Sequence, residues 1–208
     1  MQSIYAALLQ FDDTGWWFPA GLSLFFALFL FPYNINIYVI SGFVIGSFYE
    51  HTIEFSAHKY LQHGTSNLFK GFRMRHYKHH KNPQTYHAFQ PISVTCIGIV
   101  LLLSPCFYMM QYDFSKALIS GFLFSHFLLH LFHYDLHAAK KILPRIFRNT
   151  GYYQFIVKTH DAHHNHGETF YYSITCPYSD WIINKSCLDH IISLCYNGVL
   201  RLFERNAK

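Results

Sequence analysis

The stretch "RMRHYKHHKN" (73–82) carries His76, His79 and His80, and "THDAHHNH" (159–166) repeats the H-x-x-H-H spacing at His160, His163 and His164. Positions i, i+3 and i+4 lie on one face of a helix, so each block can turn three imidazoles together. Tyr77 and Lys78, or Asp161 and Ala162, then face elsewhere. "HFLLHLFHYDLH" adds His126, His130, His133 and His137, a single stripe along one helix. "HKYLQH" sets His58 and His63 five apart, about 140° around an α-helix. That angle predicts that the two reach different metals or straddle a helix end.

Neutral imidazole is a good ligand for iron, zinc, copper or nickel. Ten convergent histidines exceed the three or four protein ligands of one zinc, and they suit two metals sharing the set. The remaining isolated histidines, His51, His87, His166 and His190, read as amphipathic surface residues. Five cysteines (Cys96, Cys106, Cys176, Cys187 and Cys195) show no C-x-x-C spacing and read as reduced packing residues. The chain has no Gly-rich phosphate loop, no G-x-S-x-G elbow and no H-E-x-x-H.

The elements that must position these histidines are apolar. Of 208 residues, 51% are hydrophobic and 20% aromatic, while only 13% are charged, about half the usual share. No Asp, Glu, Lys or Arg occurs in 14–49, 82–112 or 117–134. The first tract is too long for one crossing of a ~30 Å hydrocarbon core, and "FPYNIN" (31–36) supplies a turn within it. Spans are therefore expected near 16–31, 35–49, 91–111 and 117–134, with Pro105 kinking the third. The expected fold is all-α: four transmembrane helices in two hairpins, with a cytosolic histidine-rich helical cap, as a single domain over 1–208.

Two hairpins place every histidine block and both termini on one face. All Lys and Arg except Lys116 fall there too, and by the positive-inside rule that face is cytosolic. The net charge of +5 is thus a topological signal rather than a nucleic-acid footprint. No secretory signal is apparent, which predicts a bacterial inner-membrane or endoplasmic-reticulum protein. At the C-terminus, Leu188, Ile191, Ile192, Cys195, Val199 and Leu202 form one apolar stripe, suited to a helix lying at the interface.

Metal beside hydrocarbon points to oxygen chemistry. An unactivated C–H bond offers neither an acidic proton nor an electrophilic carbon, so side-chain acids and nucleophiles cannot break it. A reduced metal pair that takes up dioxygen can.

In order, "HKYLQH", "HYKHH", "HYDLH" and "HDAHH" give H-x4-H, H-x2-H-H, H-x3-H and H-x2-H-H. This series resembles the fatty acid hydroxylase / sterol desaturase superfamily, which are integral-membrane di-iron-type oxidoreductases. Within it, "HHKNPQTYHAFQP" and "FYYSITCPYSDWI" are most similar to stretches of the fatty acid 2-hydroxylases, although glycines of the latter stretch are replaced, as at Tyr172. The resemblance covers about 50–184. It implies His58, His63, His76, His79, His80, His133, His137, His160, His163 and His164 as ligands of two metal ions, iron in the working protein, with zinc able to occupy the site on purification. His126 and His130 satisfy H-x3-H as well, and are expected near the metals or along the substrate path.

The resemblance implies hydroxylation of the acyl chain of a fatty acid or complex lipid with O2. The chain as read carries no cytochrome-b5-like segment, so electrons are expected from a separate cytochrome b5-like or ferredoxin-type protein. Two alternatives stand beside this. "AHKYLQHG" is similar to the first box of bacterial carotene hydroxylases, which implies a carotenoid (or, further off, a sterol) as substrate. A membrane metal-binding or metal-transport protein without catalysis is the alternative of a different class.

Overall fold

The computed structural model describes residues 17–83, 112–138, 141–166, 171–185 and 187–205. Its helices are α1 (Trp17–Leu30), α2 (Ile37–Ser56), α3 (Lys70–Lys81), α4 (Tyr112–His137), α5 (Arg145–Arg148), α6 (Gly151–His166), α7 (Pro177–Lys185) and α8 (Cys187–Arg205). A π-helical turn, Ala57–Gln62, continues α2, and a 3-10 turn, Asn67–Phe69, leads into α3. Among the described residues there is no strand. The expected all-helical fold is therefore present. The chain separates into two compact units, residues 1–51 with 82–143 and residues 52–81 with 144–208.

In the first unit, α4 is the one helix among the described residues long and apolar enough to cross a membrane. Its 26 residues run about 39 Å at 1.5 Å each. α1 sits where a span is expected at 16–31, but its 14 residues reach only about 21 Å. α2 overruns the expected 35–49 and continues to Ser56, carrying Glu50 and Glu54. The expected span at 91–111 lies outside the described residues. The turn at 31–36 is present, and Asn36 Oδ1 caps α2 by accepting from the Tyr38 and Val39 amides at 2.9 and 3.1 Å.

Small residues let these helices approach closely. Gly42 and Gly46, one turn apart on α2, face α4, and Gly121 of α4 faces the Phe43 carbonyl. A Cβ at Gly46 would lie inside contact with the Leu118 backbone carbonyl, which cannot yield as a side chain does. Ser120 Oγ donates to Ala27 O at 2.5 Å and Ser47 Oγ to Gly121 O at 3.2 Å. Small interfaces with interhelical hydroxyl bonds are the packing that helices use in lipid. Large apolar side chains such as Phe25, Phe29, Ile37, Ile40 and Val44 point outward instead. Gly46→Val is expected to cost roughly 1–3 kcal/mol, read as a lower thermal midpoint in detergent. An unchanged midpoint would contradict this contact.

The second unit is smaller-featured and positions most of the histidines. Its core joins Phe55, Tyr172 and Ile183, with Ile192 packed against them. Ile192 of α8 thus turns inward while Ile191, Leu194 and Cys195 stay exposed, so the expected stripe divides between core and surface. Lys59 bridges to both Asp189 oxygens at 2.8 Å, and Tyr60 donates to Asp189 at 2.8 Å. These bonds fix α8 to the π-helical turn. Arg73 of α3 donates to the Gly64 and Ser66 carbonyls at 2.7 and 3.3 Å, tying α3 to the loop behind that turn. Thr150 starts α6 by accepting from the Tyr153 amide at 3.2 Å.

Candidate metal centre

The π-helical turn changes the geometry of the first histidine pair. Its bond from the His63 amide to the His58 carbonyl, 3.1 Å long, spans five residues instead of four. Residues five apart then fall on one side of the helix. The α-helical angle of about 140° does not apply, and the rings of His58 and His63 lie 5.1 Å apart, centre to centre. Both reach one cluster, which corrects the expectation of different metals; His63 is the C-cap of the turn that holds His58, so the pair straddles a helix end, the other expectation.

That cluster comprises His58, His63, His76, His80 and His163, whose ligand nitrogens all lie within 4.8 Å of one another. A second group brings together His79, His160 and His164 on the same criterion of 4.8 Å. The two H-x-x-H-H helices therefore divide crosswise. α3 gives its i and i+4 residues, His76 and His80, to the first cluster and its i+3 residue, His79, to the second. α6 does the reverse, giving His163 to the first and His160 and His164 to the second. The expectation that each block converges as a trio is corrected. With 100° per residue, i+3 leans to the opposite side of i from i+4, and two neighbouring clusters exploit that lean. His79 and His163, the two that cross, are 1% and 2% exposed.

The first cluster is not a hydrogen-bond network. His76 Nε2 lies 3.0 Å from His58 Nε2, 2.9 Å from His63 Nε2 and 2.8 Å from His80 Nε2. His163 Nε2 lies 3.3 Å from His63 Nε2 and 3.1 Å from His80 Nε2. An imidazole nitrogen has one in-plane site, a lone pair or a hydrogen, so His76 Nε2 cannot bond three neighbours. Nitrogens each about 2.1 Å from a shared cation sit roughly 3.0–3.4 Å from one another. The observed separations fit that arrangement, so the donor set suits a metal ion.

The protonation states agree. Burial, then the neighbouring rings of His163 and His63, holds His58 well below the usual histidine range. Burial and the surrounding rings do the same to His76. His63 is pushed down to about 4 by burial and His163, and His80 to about 3 by burial, His163 and His63. Neutral imidazoles with free lone pairs are what a metal ion requires. His58 Nδ1–H donates to the Tyr172 carbonyl at 2.5 Å, which leaves the Nε2 lone pair facing the cluster.

No protein-family model, curated protein or solved structure matches this chain.

Sequence reasoning missed the groups that hold Tyr172 in place. The segment 171–175 is not helical, so its buried amides need acceptors. Asp180 accepts from the Ser173 amide at 3.1 Å, and Glu54 accepts from the Ile174 amide and the Thr175 hydroxyl. Burial pushes the Asp180 carboxyl up to about 7, against the pull of the Ser173 amide. Tyr171 adopts a φ of 61°, a left-handed conformation that costs a non-glycine residue about 1–3 kcal/mol. The Tyr172 ring packs within 6 Å, centre to centre, of His58, His63 and His163, roofing the cluster. A cavity of about 400 Å³ opens on His63, His76, His80 and His164, with Gln62, Arg73, Met74 and Tyr77 around it.

His133 and His137 lie at the C-terminal end of α4 in the first unit, their rings 5.0 Å apart. His126 and His130 lie deeper on the same helix and are buried. His190 is exposed, as expected, while His51 is partly buried against Glu50 at 3.3 Å and so is not a plain surface residue. His87 and the His166 side chain lie outside the described residues.

For metal-free protein a pH dependence follows. Unfolded imidazoles take up protons near pH 6.5, whereas folded His63 and His80 resist protonation until about pH 4 and 3. The unfolded chain then holds more protons below about 6.5, so stability falls as pH drops through that window and is level above it. Chelator-treated protein should melt lower at about pH 5 than at about pH 7.5, and His63→Gln/His80→Gln protein should show a smaller difference. An equal difference in the variant would contradict the assignment.

Proposed function

We propose that the chain is a membrane-embedded dimetal oxygenase of the fatty acid hydroxylase type, acting on a lipid acyl chain. The observation that carries this is the packing of five imidazole nitrogens of one cluster within 4.8 Å, next to a second histidine cluster. Neutral nitrogen ligation without carboxylates suits a redox metal such as iron. His58, His63, His76, His80 and His163 would hold one ion, and His79, His160 and His164 would contribute to the other. When bound, such a pair supplies the dioxygen chemistry that an unactivated C–H bond demands.

The chain's own residues supply the rest. Tyr172 orients His58 through its carbonyl and shields the cluster from water with its ring. Glu54 and Asp180 hold Tyr172 in that position. The outward apolar side chains of α1 and α2, and the length of α4, support a lipid surround. Four spans in two hairpins, with the clusters cytosolic, is the topology we infer from the charge distribution.

The test is lipid mass spectrometry of membranes supplied with ¹⁸O₂, a one-electron donor protein, and either wild type or the His163→Ala/His164→Ala variant. A lipid gaining one ¹⁸O with wild type alone supports the reading and names the substrate. A labelled carotenoid would move the substrate class, and no labelled product from metal-loaded, reduced protein would defeat the oxygenase reading.

The third box has its own check. Alanine at His133 or His137 is expected to lower metal content, whereas alanine at His126 or His130 is not. The opposite pattern would shift the box by one heptad.

A further inference from the structure

Four ionisable side chains of the first unit lie outside the two histidine clusters, and they touch in series. His51 Nδ1 lies 3.3 Å from Glu50 Oε2. The other oxygen, Glu50 Oε1, lies 3.1 Å from His126 Nδ1. The other nitrogen, His126 Nε2, lies 3.3 Å from His130 Nε2. The series begins at an imidazole whose side chain is 17% exposed and ends at a histidine only 6% exposed, with Glu50 at 1% and His126 at 4% between them. Its surroundings are apolar: Phe122 stacks on the His126 ring at 6.2 Å, and Ile119 and Leu123 are buried on the same helix.

Placing Glu and His in such surroundings is costly, and the usual compensation is function. The atom pattern indicates which function. Glu50 is hydrogen-bonded to His126 through Oε1 and stands within ion-pair distance of His51 through Oε2, and His126 meets its two neighbours through different nitrogens. Accepting at one atom and releasing at another is the requirement for passing a proton along. A metal site would need these atoms to converge on one point. Here Nδ1 and Nε2 of His126 are used on opposite sides of the ring, so the four groups form a line.

We propose that His51, Glu50, His126 and His130 form a proton-transfer chain into the helix bundle, serving the oxygenase reaction; this rests on the function proposed above. Inserting one atom of O2 into a C–H bond and reducing the other to water consumes two electrons and two protons. The electrons come from the donor protein, and the protons travel this chain. Glu50 rests as a carboxylate between the two imidazoles; a proton that His51 Nδ1 delivers to Oε2 turns with the carboxyl and passes to His126 Nδ1, while His126 releases its Nε2 proton to His130 Nε2. His130 in turn frees the proton on its Nδ1. His51, having given up its Nδ1 proton, holds the one it takes from solvent at its own Nε2. One proton enters for each proton freed, no group changes oxidation state, and rotation of the carboxyl and rings restores the starting order. From His130 the same helix face continues to His133 and His137.

Glu50→Gln keeps the size and the hydrogen bonding but cannot carry a proton. In full-length, metal-loaded protein supplied with the donor, it is expected to retain wild-type metal content. Lipid hydroxylation should slow on the order of 10²-fold, with a larger solvent deuterium isotope effect. Redox difference infrared spectra of wild type should contain a deuterium-sensitive band of a protonated carboxylic acid, missing in Glu50→Gln. A fully metallated Glu50→Gln protein with wild-type rate and isotope effect, or a wild type without that band, would overturn the chain. If Glu50→Gln fails to fold, His130→Gln serves: slowed turnover with metal retained supports the chain, and loss of metal overturns it by making His130 a ligand. Wild-type turnover separates the two claims. An inactive wild type sinks the oxygenase reading, whereas an active one matched by Glu50→Gln sinks only the proton chain.

Discussion

Alanine in place of His76 should remove metal and product formation together. Its Nε2 is the hub of the first cluster, 2.8 to 3.0 Å from three other ligand nitrogens, and its Nδ1 is buried without a hydrogen-bond partner. Losing even an outer partner of a metal ligand typically costs about 10–100-fold in metal affinity, so losing the central ligand should exceed that. His190, exposed on α8, is the control, and His190→Ala should match wild type in both measurements. Metal analysis and hydroxylation assays on the same purified samples check this. A His76→Ala protein that keeps its full metal content would contradict the cluster.

The crosswise sharing predicts a second large effect. His80→Ala and His79→Ala change neighbouring histidines of the same block on α3, yet they should empty different sites. His80→Ala should weaken the ion held with His58, His63, His76 and His163, and His79→Ala the ion held with His160 and His164. Each single variant should therefore drop toward one bound metal, and the double variant toward none. Hydroxylation should fall by on the order of 10²-fold or more in either single variant, because the proposed reaction uses both ions. If both variants lost the same ion, each block would converge as a trio, and the sharing inferred from the geometry would be wrong.

Much of the site was legible because ligands must cluster, and spacing in a helix says which residues can. The H-x-x-H-H blocks pointed to α3 and α6, and both blocks lie on helices. The α-helical ruler failed at His58 and His63 because a π-helical turn places residues five apart together. Nothing in "HKYLQH" distinguishes that turn from an ordinary α-helix. Glu54 and Asp180 escaped notice for another reason. Their partners are backbone amides of 173–174, and for Glu54 those partners lie more than a hundred positions away in sequence. A usable signal was present: Glu50 and Glu54 stand one helical turn apart, directly after a long uncharged tract. Two carboxylates there face the interior, since both are buried. The turn at 31–36 was readable from Pro32 and Asn36, and the close approach of α2 to α4 from Gly42 and Gly46. The lengths of α1 and α2 were not, because hydropathy marks apolar residues and not where the helical hydrogen bonds stop.

The central claim is that these histidines hold two metal ions through imidazole nitrogen. X-ray absorption on purified, iron-reconstituted protein, with the metal counted per chain, addresses it directly. The prediction is two irons per chain and a first shell of nitrogen at about 2.0–2.2 Å, with the outer scattering of imidazole rings and no sulfur. A single iron, a shell dominated by oxygen or sulfur, or loosely held metal unaffected by His76→Ala would contradict it.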